Sequence, residues 1–563
     1  MSRKSAIGPR PGTPAPVGEP PPNPLLPGTL GEPGVDRPPL PVGVEHPPLP
    51  GVEHPPLPGA GAPAREGSPA GEGAAAVVHS PPSARVRLAM AVVGVLAFAA
   101  AAAGILVPAT HGTWTTADEP QYLLTAISLA TDHDLDIADE LAEGRWRPFH
   151  ALPLPTQTAP LAGGRRLSPH DPLLPLLLAG PVAAGGWVGA KLAMAAMAGL
   201  LAALLLWTAV RRLDVPVGVA ALAAGMLACS PPLAVYGSQL YPELPAALCV
   251  LAAAAALLSP APGRRATLVV GTAVAALPWL GVKYTPVAAA LAAVACWRLA
   301  RAGHGRRALA LAGSLAAAGV AFLVLHRWWY GGWTPYAAGD HFTAGELSVV
   351  GTDPDYLGRS RRLVGLLVDR GFGVAAWQPA WLLAVPALAA LTRRRPPDAP
   401  GDHPGRPPDP PGLAALAGPL AAGWLVATFV ALTMHGWWFA GRQVVVVLPL
   451  AALAVAWWAG RGGRVASRPV LLAVAGGFGV LAQLWLVADG AAGRVTWAVD
   501  ATATTNPLYR AWRLALPDYL AMGAWTWVLH AAWLAALAAW AAVAAGHRPA
   551  GLHRLASRWL RSA

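Results

Sequence analysis

Asp118 and Glu119 stand side by side in TWTTADEPQYLLTAISLA (residues 113–130), just beyond the first long apolar run of the chain. A carboxylate in such a place can take the proton of an attacking hydroxyl as a general base. Two carboxylates can instead hold a divalent cation, Mg or Mn, that neutralises a phosphate. Asp118 and Glu119 are candidates for both roles. Further along, Tyr241 and Glu243 lie in YGSQLYPELPA (236–246), Lys283 in LPWLGVKYTP (277–286), and His435, Trp438 and Arg442 in HGWWFAGRQ (435–443). Arginine grips a phosphate bidentately and lysine meets it as a point charge. Tryptophan faces stack on sugars or guide an isoprenoid chain. Lys283, Arg442, Glu243, Tyr241, His435 and Trp438 are therefore the candidate substrate- and phosphate-binding residues. The plainer alternatives are an interfacial aromatic belt for the tryptophans and outer-loop polarity for Glu243 and Lys283. The acids of DHDLDIADE (132–140) are expected to cap and solubilise a surface helix.

The elements that must position these residues are membrane helices. Of the 563 residues, 55% are hydrophobic and only 12% are charged, and the mean hydropathy is +0.45. Soluble domains carry roughly a quarter charged residues. Apolar runs of about 20 residues recur along the chain, and in lipid such runs must be helices. The alternating segments of a β-barrel are missing. The net charge of +12 does not indicate nucleic acid, because the arginines form short clusters between apolar runs, as in cytoplasmic membrane loops. Cys229, Cys249 and Cys296 lie in or beside apolar runs without a CxxC, so neither a disulfide framework nor a zinc site is expected.

The fold class read from this pattern is an all-α integral membrane protein, a polytopic bundle of about twelve transmembrane helices. They are expected near 86–107, 189–210, 216–235, 241–258, 264–280, 284–301, 306–327, 376–392, 412–434, 443–460, 468–488 and 521–545. With this count every arginine cluster, from Arg85 and Arg87 to the tail at Arg548–Arg561, falls on one side, and both termini are cytoplasmic in a plasma-membrane protein. The segment 171–186 is proline-rich and short; as a thirteenth span it would put every later cluster outside. It is expected to be re-entrant or interfacial, within a long first extracytoplasmic loop. Residues 1–84 form a Pro-rich cytoplasmic tail, expected to be disordered. This tail repeats VEHPPLPG at 44–51 and 52–59, a possible docking site for a protein partner. Residues 85–546 make the membrane domain, with a disordered cytoplasmic linker at 396–411, and 547–563 form a basic tail. The apolar run after Arg87 lacks a small-residue cleavage site and is expected to be retained.

Acids at the outer interface beside aromatic and cationic groups suit transfer of a sugar from a lipid-phosphate carrier. At this point the chain resembles bacterial members of the GT-C superfamily of polytopic glycosyltransferases. ADEPQYLLTAISLATDHDLDIADE is similar to their first extracytoplasmic loop, where members carry an acidic pair after helix 1. SQLYPELPAAL, PWLGVKYTP, YGGWTPY, DRGFG and WWFAGRQ look like further landmarks, and the likeness runs over about 108–460. The resemblance implies a polyprenyl-phosphate sugar donor, an envelope glycan, lipid or protein acceptor, and inverting transfer on the extracytoplasmic side. It also implies Asp118 as catalytic acid residue with Glu119 as its partner. Two other classes compete: a transporter or lipid flippase, and a non-catalytic envelope-assembly scaffold recruiting partners through 44–59. A transporter would show internal repeats and charges at mid-membrane, whereas here no repeat between halves is evident and the ionisable residues gather at the outer helix ends.

Overall fold

The computed structural model describes residues 82–260, 263–340, 345–346, 350–351, 354–392, 412–461 and 467–546. The expected tails and the 396–411 linker lie outside these residues, apart from the last residues of the amino-terminal segment, where Ser83 caps the first helix. Among the described residues the protein is all-helical, with isolated bridges and no strand. The main helices are α1 (Ala84–Ala103), α2 (Glu119–Thr131), α3 (Ala138–Glu143), α4 (Leu173–Arg212), α5 (Val217–Ala228), α6 (Glu243–Leu257), α7 (Arg264–Leu280), α8 (Thr285–Arg301), α9 (Gly305–Tyr330), α10 (Ala384–Leu391), α11 (Gly412–Leu425), α12 (Leu448–Gly460), α13 (Ser467–Ala491) and α14 (Ala524–Ala544).

Among the described residues seven helical segments are long and apolar enough to cross a membrane: Ala84–Leu106, Leu173–Arg212, Gly305–Ala338, Gly412–Val430, Arg442–Gly460, Ser467–Ala491 and Ala524–Ala544. The protein is thus a multi-pass helical membrane protein by length and composition. Each of the twelve expected segments is helical at least in part, but the other five are shorter. Val217–Ala228, Glu243–Leu257 and Pro379–Leu391 are apolar and under 18 residues, and α7 and α8 have 17 residues each. A helix of about 13 residues reaches only about 20 Å, short of the ~30 Å hydrocarbon layer. The shortening has local causes. The expected 216–235 helix stops at Cys229, ahead of Pro231–Pro232. The 376–392 helix is interrupted at Gln378–Pro379. There the buried Gln378 amide donates to Ser230 Oγ at 2.7 Å, Met226 O at 3.1 Å and Gly476 O at 3.2 Å. Interrupted backbone is tolerated at membrane depth when protein groups satisfy it.

The 171–186 segment forms the first arm of α4. At 40 residues α4 would be about 60 Å long if straight, but Gly185 and Gly186 leave helical geometry, Gly186 at φ 58°. The arm 173–184 therefore ends at a glycine break, and 187–212 continues as the long apolar helix.

The Arg442–Gly460 segment, which ends in α12, is the most deeply buried of the seven, whereas α14 is almost wholly exposed on the outside of the bundle. Arginines at several helix ends bond carbonyls of neighbouring helices. Arg212 bonds Ala255 O at 3.1 Å and Arg298 bonds Ser259 O at 2.8 Å. Three arginines stack on a tryptophan four or five residues earlier, Arg212 on Trp207 at 5.0 Å, Arg301 on Trp297 at 5.4 Å and Arg461 on Trp457 at 4.8 Å. Such pairs suit a membrane interface, where the ring sits among headgroups and the cation reaches water.

Helices α1 and α4 pack closely because both have glycine at the crossing. A Cβ on Gly199 would lie 2.7 Å from Gly94 O. Small residues let membrane helices approach this far. Gly199→Val is expected to cost about 1–3 kcal/mol by overpacking, read as a lower thermal unfolding midpoint in detergent. Gly313→Val, where a Cβ meets nothing within 4 Å, should leave the midpoint close to wild type.

Candidate functional site

The first loop is built to present the start of α2. Trp497 N–H and Ala498 N–H donate to Pro108 O and Ala109 O, each at 3.0 Å. Trp114 stacks on Trp187 of α4 at 5.5 Å, and its carbonyl accepts from Lys191 Nζ at 2.7 Å. Ala117 then takes a left-handed conformation, φ 48°, which costs a residue with a Cβ roughly 1–2 kcal/mol. This turn precedes Asp118, and α2 begins at Glu119 with Pro120 in its first turn, where proline is pre-organised for a helix.

The two adjacent acids part company here. Glu119 is fully buried. Its Oε2 accepts from Thr116 N–H at 2.9 Å, like the return arm of a capping box, and its Oε1 accepts from Leu240 N–H at 2.8 Å. Burial pushes its carboxyl up, while Lys191 and the two amides favour the charged form. Asp118 keeps 24% of its side-chain surface open and pairs with Arg442 Nη2. Burial alone would raise the Asp118 carboxyl, but Arg442, then His170 and Lys283, hold it well below the usual carboxylate range.

Arg442, at the start of the Arg442–Gly460 segment, bridges two acids. Its Nη2 meets Asp118 and its Nε donates to Glu243 Oε1 at 3.1 Å. Its guanidinium lies between two rings, 4.0 Å from the centroid of Tyr241 and 4.9 Å from that of Trp438. Glu243, fully buried at the start of α6, also accepts from Lys283 Nζ at 2.7 Å. Lys283 stays 28% open, whereas Arg442 is only 6% open. An ammonium has three donors, so Lys283 can hold Glu243 and still face an incoming anion. The Tyr241 hydroxyl donates to Thr116 O at 3.1 Å, tying this cluster to the turn that carries Asp118.

Asp118, Glu243, Lys283, Arg442, Tyr241 and Trp438 thus come together from four separate stretches of sequence. His435 is placed elsewhere. It lies 3.7 Å from Asp369 and edge-on to Phe372. Asp369 accepts from Gly371 and Phe372 N–H at 2.9 and 2.6 Å, which shapes the DRGFG turn. Three further groups join the site without having been singled out. His170 lies 3.9 Å from Asp118 and against the Tyr122 ring at 4.8 Å. Asp171 accepts from Val282 N–H at 3.1 Å, next to Lys283, and lies 3.3 Å from buried His326. Lys191 provides the buried counter-charge of Glu119. The signal for Lys191 was present, as a lone lysine inside an apolar run; His170 and Asp171 sit in PHDP, a polar pair directly before an apolar helix.

The acidic pair does not make a metal centre by itself. Asp118 is committed to Arg442 and Glu119 to two amides, and among the described residues neither belongs to a group of three metal-ligating side chains. A cavity of about 660 Å³ opens beyond Asp171, with leucines and tryptophans such as Leu173, Trp279 and Trp329 on one part of its lining and His133, Asp134, Asp136 and Arg165 on another. Trp279 packs on His326 at 5.2 Å, so a chain of contacts runs from this cavity through Asp171 and His170 to Asp118. Comparison with protein-family models, curated proteins and solved structures finds no match to this chain.

The two acids should respond differently to neutralisation. Glu119→Gln leaves one of two buried amides without an acceptor and is expected to cost about 1–3 kcal/mol. Asp118→Asn keeps an acceptor for Arg442 at a water-accessible position and should cost less. Thermal unfolding of both variants in the same detergent checks the order.

Proposed function

We propose that the protein is a membrane glycosyltransferase of GT-C type, which moves a sugar from a polyprenyl-phosphate donor to an acceptor hydroxyl on the extracytoplasmic side. The observation that carries this reading is a partly open carboxylate, Asp118, set beside a partly open ammonium, Lys283, at one end of a membrane helix bundle. In the reaction Asp118 takes the proton of the acceptor hydroxyl as its oxygen attacks the anomeric carbon. The bond from that carbon to the phosphate oxygen breaks, and polyprenyl phosphate leaves with the electron pair. Lys283, backed by Arg442, meets the charge that grows on the leaving phosphate. The leucine- and tryptophan-lined part of the cavity suits the start of the isoprenoid chain. Attack from the face opposite the phosphate inverts the anomeric centre.

A topology with cytoplasmic termini and an extracytoplasmic site accompanies this reading. It is supported by Arg212 and Arg298, which bond carbonyls at one set of helix ends, and by Asp118, Lys283 and Arg442 at the other. A transporter would instead need charged groups along a path between the two sides.

Asp118→Asn is the direct test. Transfer from a polyprenyl-phosphate sugar should fall about 10²–10⁴-fold, the usual contribution of a general base, in protein that unfolds like wild type. Full activity in that variant would remove Asp118 from the mechanism.

The pH profile adds a second expectation. The required form of Asp118 is ionised, so activity is lost as pH falls through its pKa. Arg442, His170 and Lys283 outweigh burial and hold that pKa low, so kcat/KM should show no acid limb from this group at or above pH ~4, the ordinary aspartate value. A donor phosphate beside Lys283 offsets part of this field, so the acid limb of kcat should lie higher than that of kcat/KM. Identical limbs would contradict the coupling between phosphate and base.

A further inference from the structure

The acids at 132–140 do more than solubilise a helix. Asp132 caps the C-terminus of α2, and Asp139 and Glu140 lie in the first turn of α3. One carboxylate oxygen from each of the three lies within 4.8 Å of the others. Asp132 and Asp139 are exposed, whereas Glu140 is fully buried and aimed at them. Neither oxygen of Glu140 has a hydrogen-bond donor. A buried polar group left without a partner costs roughly 1–3 kcal/mol, and more when charged. The nearby cation, Arg145, is engaged with Glu143 at 2.8 Å and Thr131 at 3.2 Å.

We propose that Asp132, Asp139 and Glu140 bind a calcium ion, with Glu140 as the buried ligand and water completing the shell on the exposed side. The all-oxygen set selects a hard cation rather than zinc or copper. Calcium accepts about six to eight oxygens in flexible geometry, whereas magnesium demands a near-ideal octahedron and keeps most of its waters, so three carboxylates from two helix ends suit calcium. The ion would tie the end of α2 to α3. Since α2 starts at Asp118 and Glu119, the site would steady the helix whose other end carries the reactive carboxylate. It takes no part in the transfer chemistry, and its test does not depend on that chemistry.

The experiment is equilibrium dialysis of the purified full-length protein, stripped with EDTA, against radioactive calcium, paired with thermal unfolding with and without calcium. Wild type should bind one equivalent saturably, and calcium should raise its unfolding midpoint. Asp139→Asn, an exposed change that spares the fold, should weaken binding about 10–100-fold, the scale on which metal sites respond to altered ligation. Glu140→Gln should abolish both binding and the midpoint shift. Excess magnesium should leave the calcium in place. Absence of saturable binding to wild type overturns the proposal, and so does binding that survives unchanged in both variants. A wild-type protein indifferent to calcium and stabilised by Glu140→Gln would show that Glu140 instead shares a proton with Asp139. Equal displacement by magnesium would overturn the choice of calcium.

Discussion

The arrangement depends on one bridge. Arg442 joins Asp118 and Glu243, two acids carried by elements far apart in sequence, and is itself held between the rings of Tyr241 and Trp438. A guanidinium suits this place better than an ammonium, because its planar fork meets two acceptors at once and its faces stack on aromatics. Glu243 then anchors Lys283. Remove the bridge and two acids face each other at low dielectric with one lysine between them. The bridge also sets the state of Asp118, since the charge of Arg442 keeps that carboxylate ionised.

The two neighbouring acids divide structure from chemistry. Glu119 is consumed by the fold: it closes the turn at Thr116, holds Leu240 and faces Lys191. Asp118 is left with open surface and a reactive neighbour. The division follows from helix geometry. Adjacent residues at a helix start point about 100° apart, so one acid can turn into the bundle while the next faces the cavity. The left-handed Ala117 turn sets which acid does which. Strain held at one non-glycine residue beside a reactive group is the kind that a site retains for positioning.

Much of this was legible in the sequence, for identifiable reasons. Apolar runs and the absence of strand periodicity are signals of composition, and the helices fall where the runs are. Asp118, Glu243, Lys283 and Arg442 were visible as rare charges at the ends of apolar runs, where an ionisable residue is costly without a partner. Their pairing was not visible, because it depends on how α2, α6, the Lys283 turn and the Arg442 turn meet in space. The separate duties of Asp118 and Glu119 depend on the φ angle of Ala117, which carries no sequence signature. Helix lengths also escaped: Gln378 lies in an apolar run, yet its buried amide bonds three groups across the bundle and marks a break. His435, in the same motif as Trp438 and Arg442, turns toward Asp369 instead, since residues a few positions apart in a loop need not share a direction.

The central claim is that the Asp118–Arg442–Glu243–Lys283 cluster receives a lipid-linked phosphate. A cryo-EM map of the protein in a lipid nanodisc, soaked with polyprenyl phosphate, tests it most directly. The account predicts headgroup density within hydrogen-bonding reach of Lys283 Nζ and beside Asp118, with the isoprenoid chain leading toward the cavity at Trp279 and Trp329. Density only at the opposite end of the bundle, near Arg212 and Arg298, with the Asp118 cluster unchanged and empty, would contradict it.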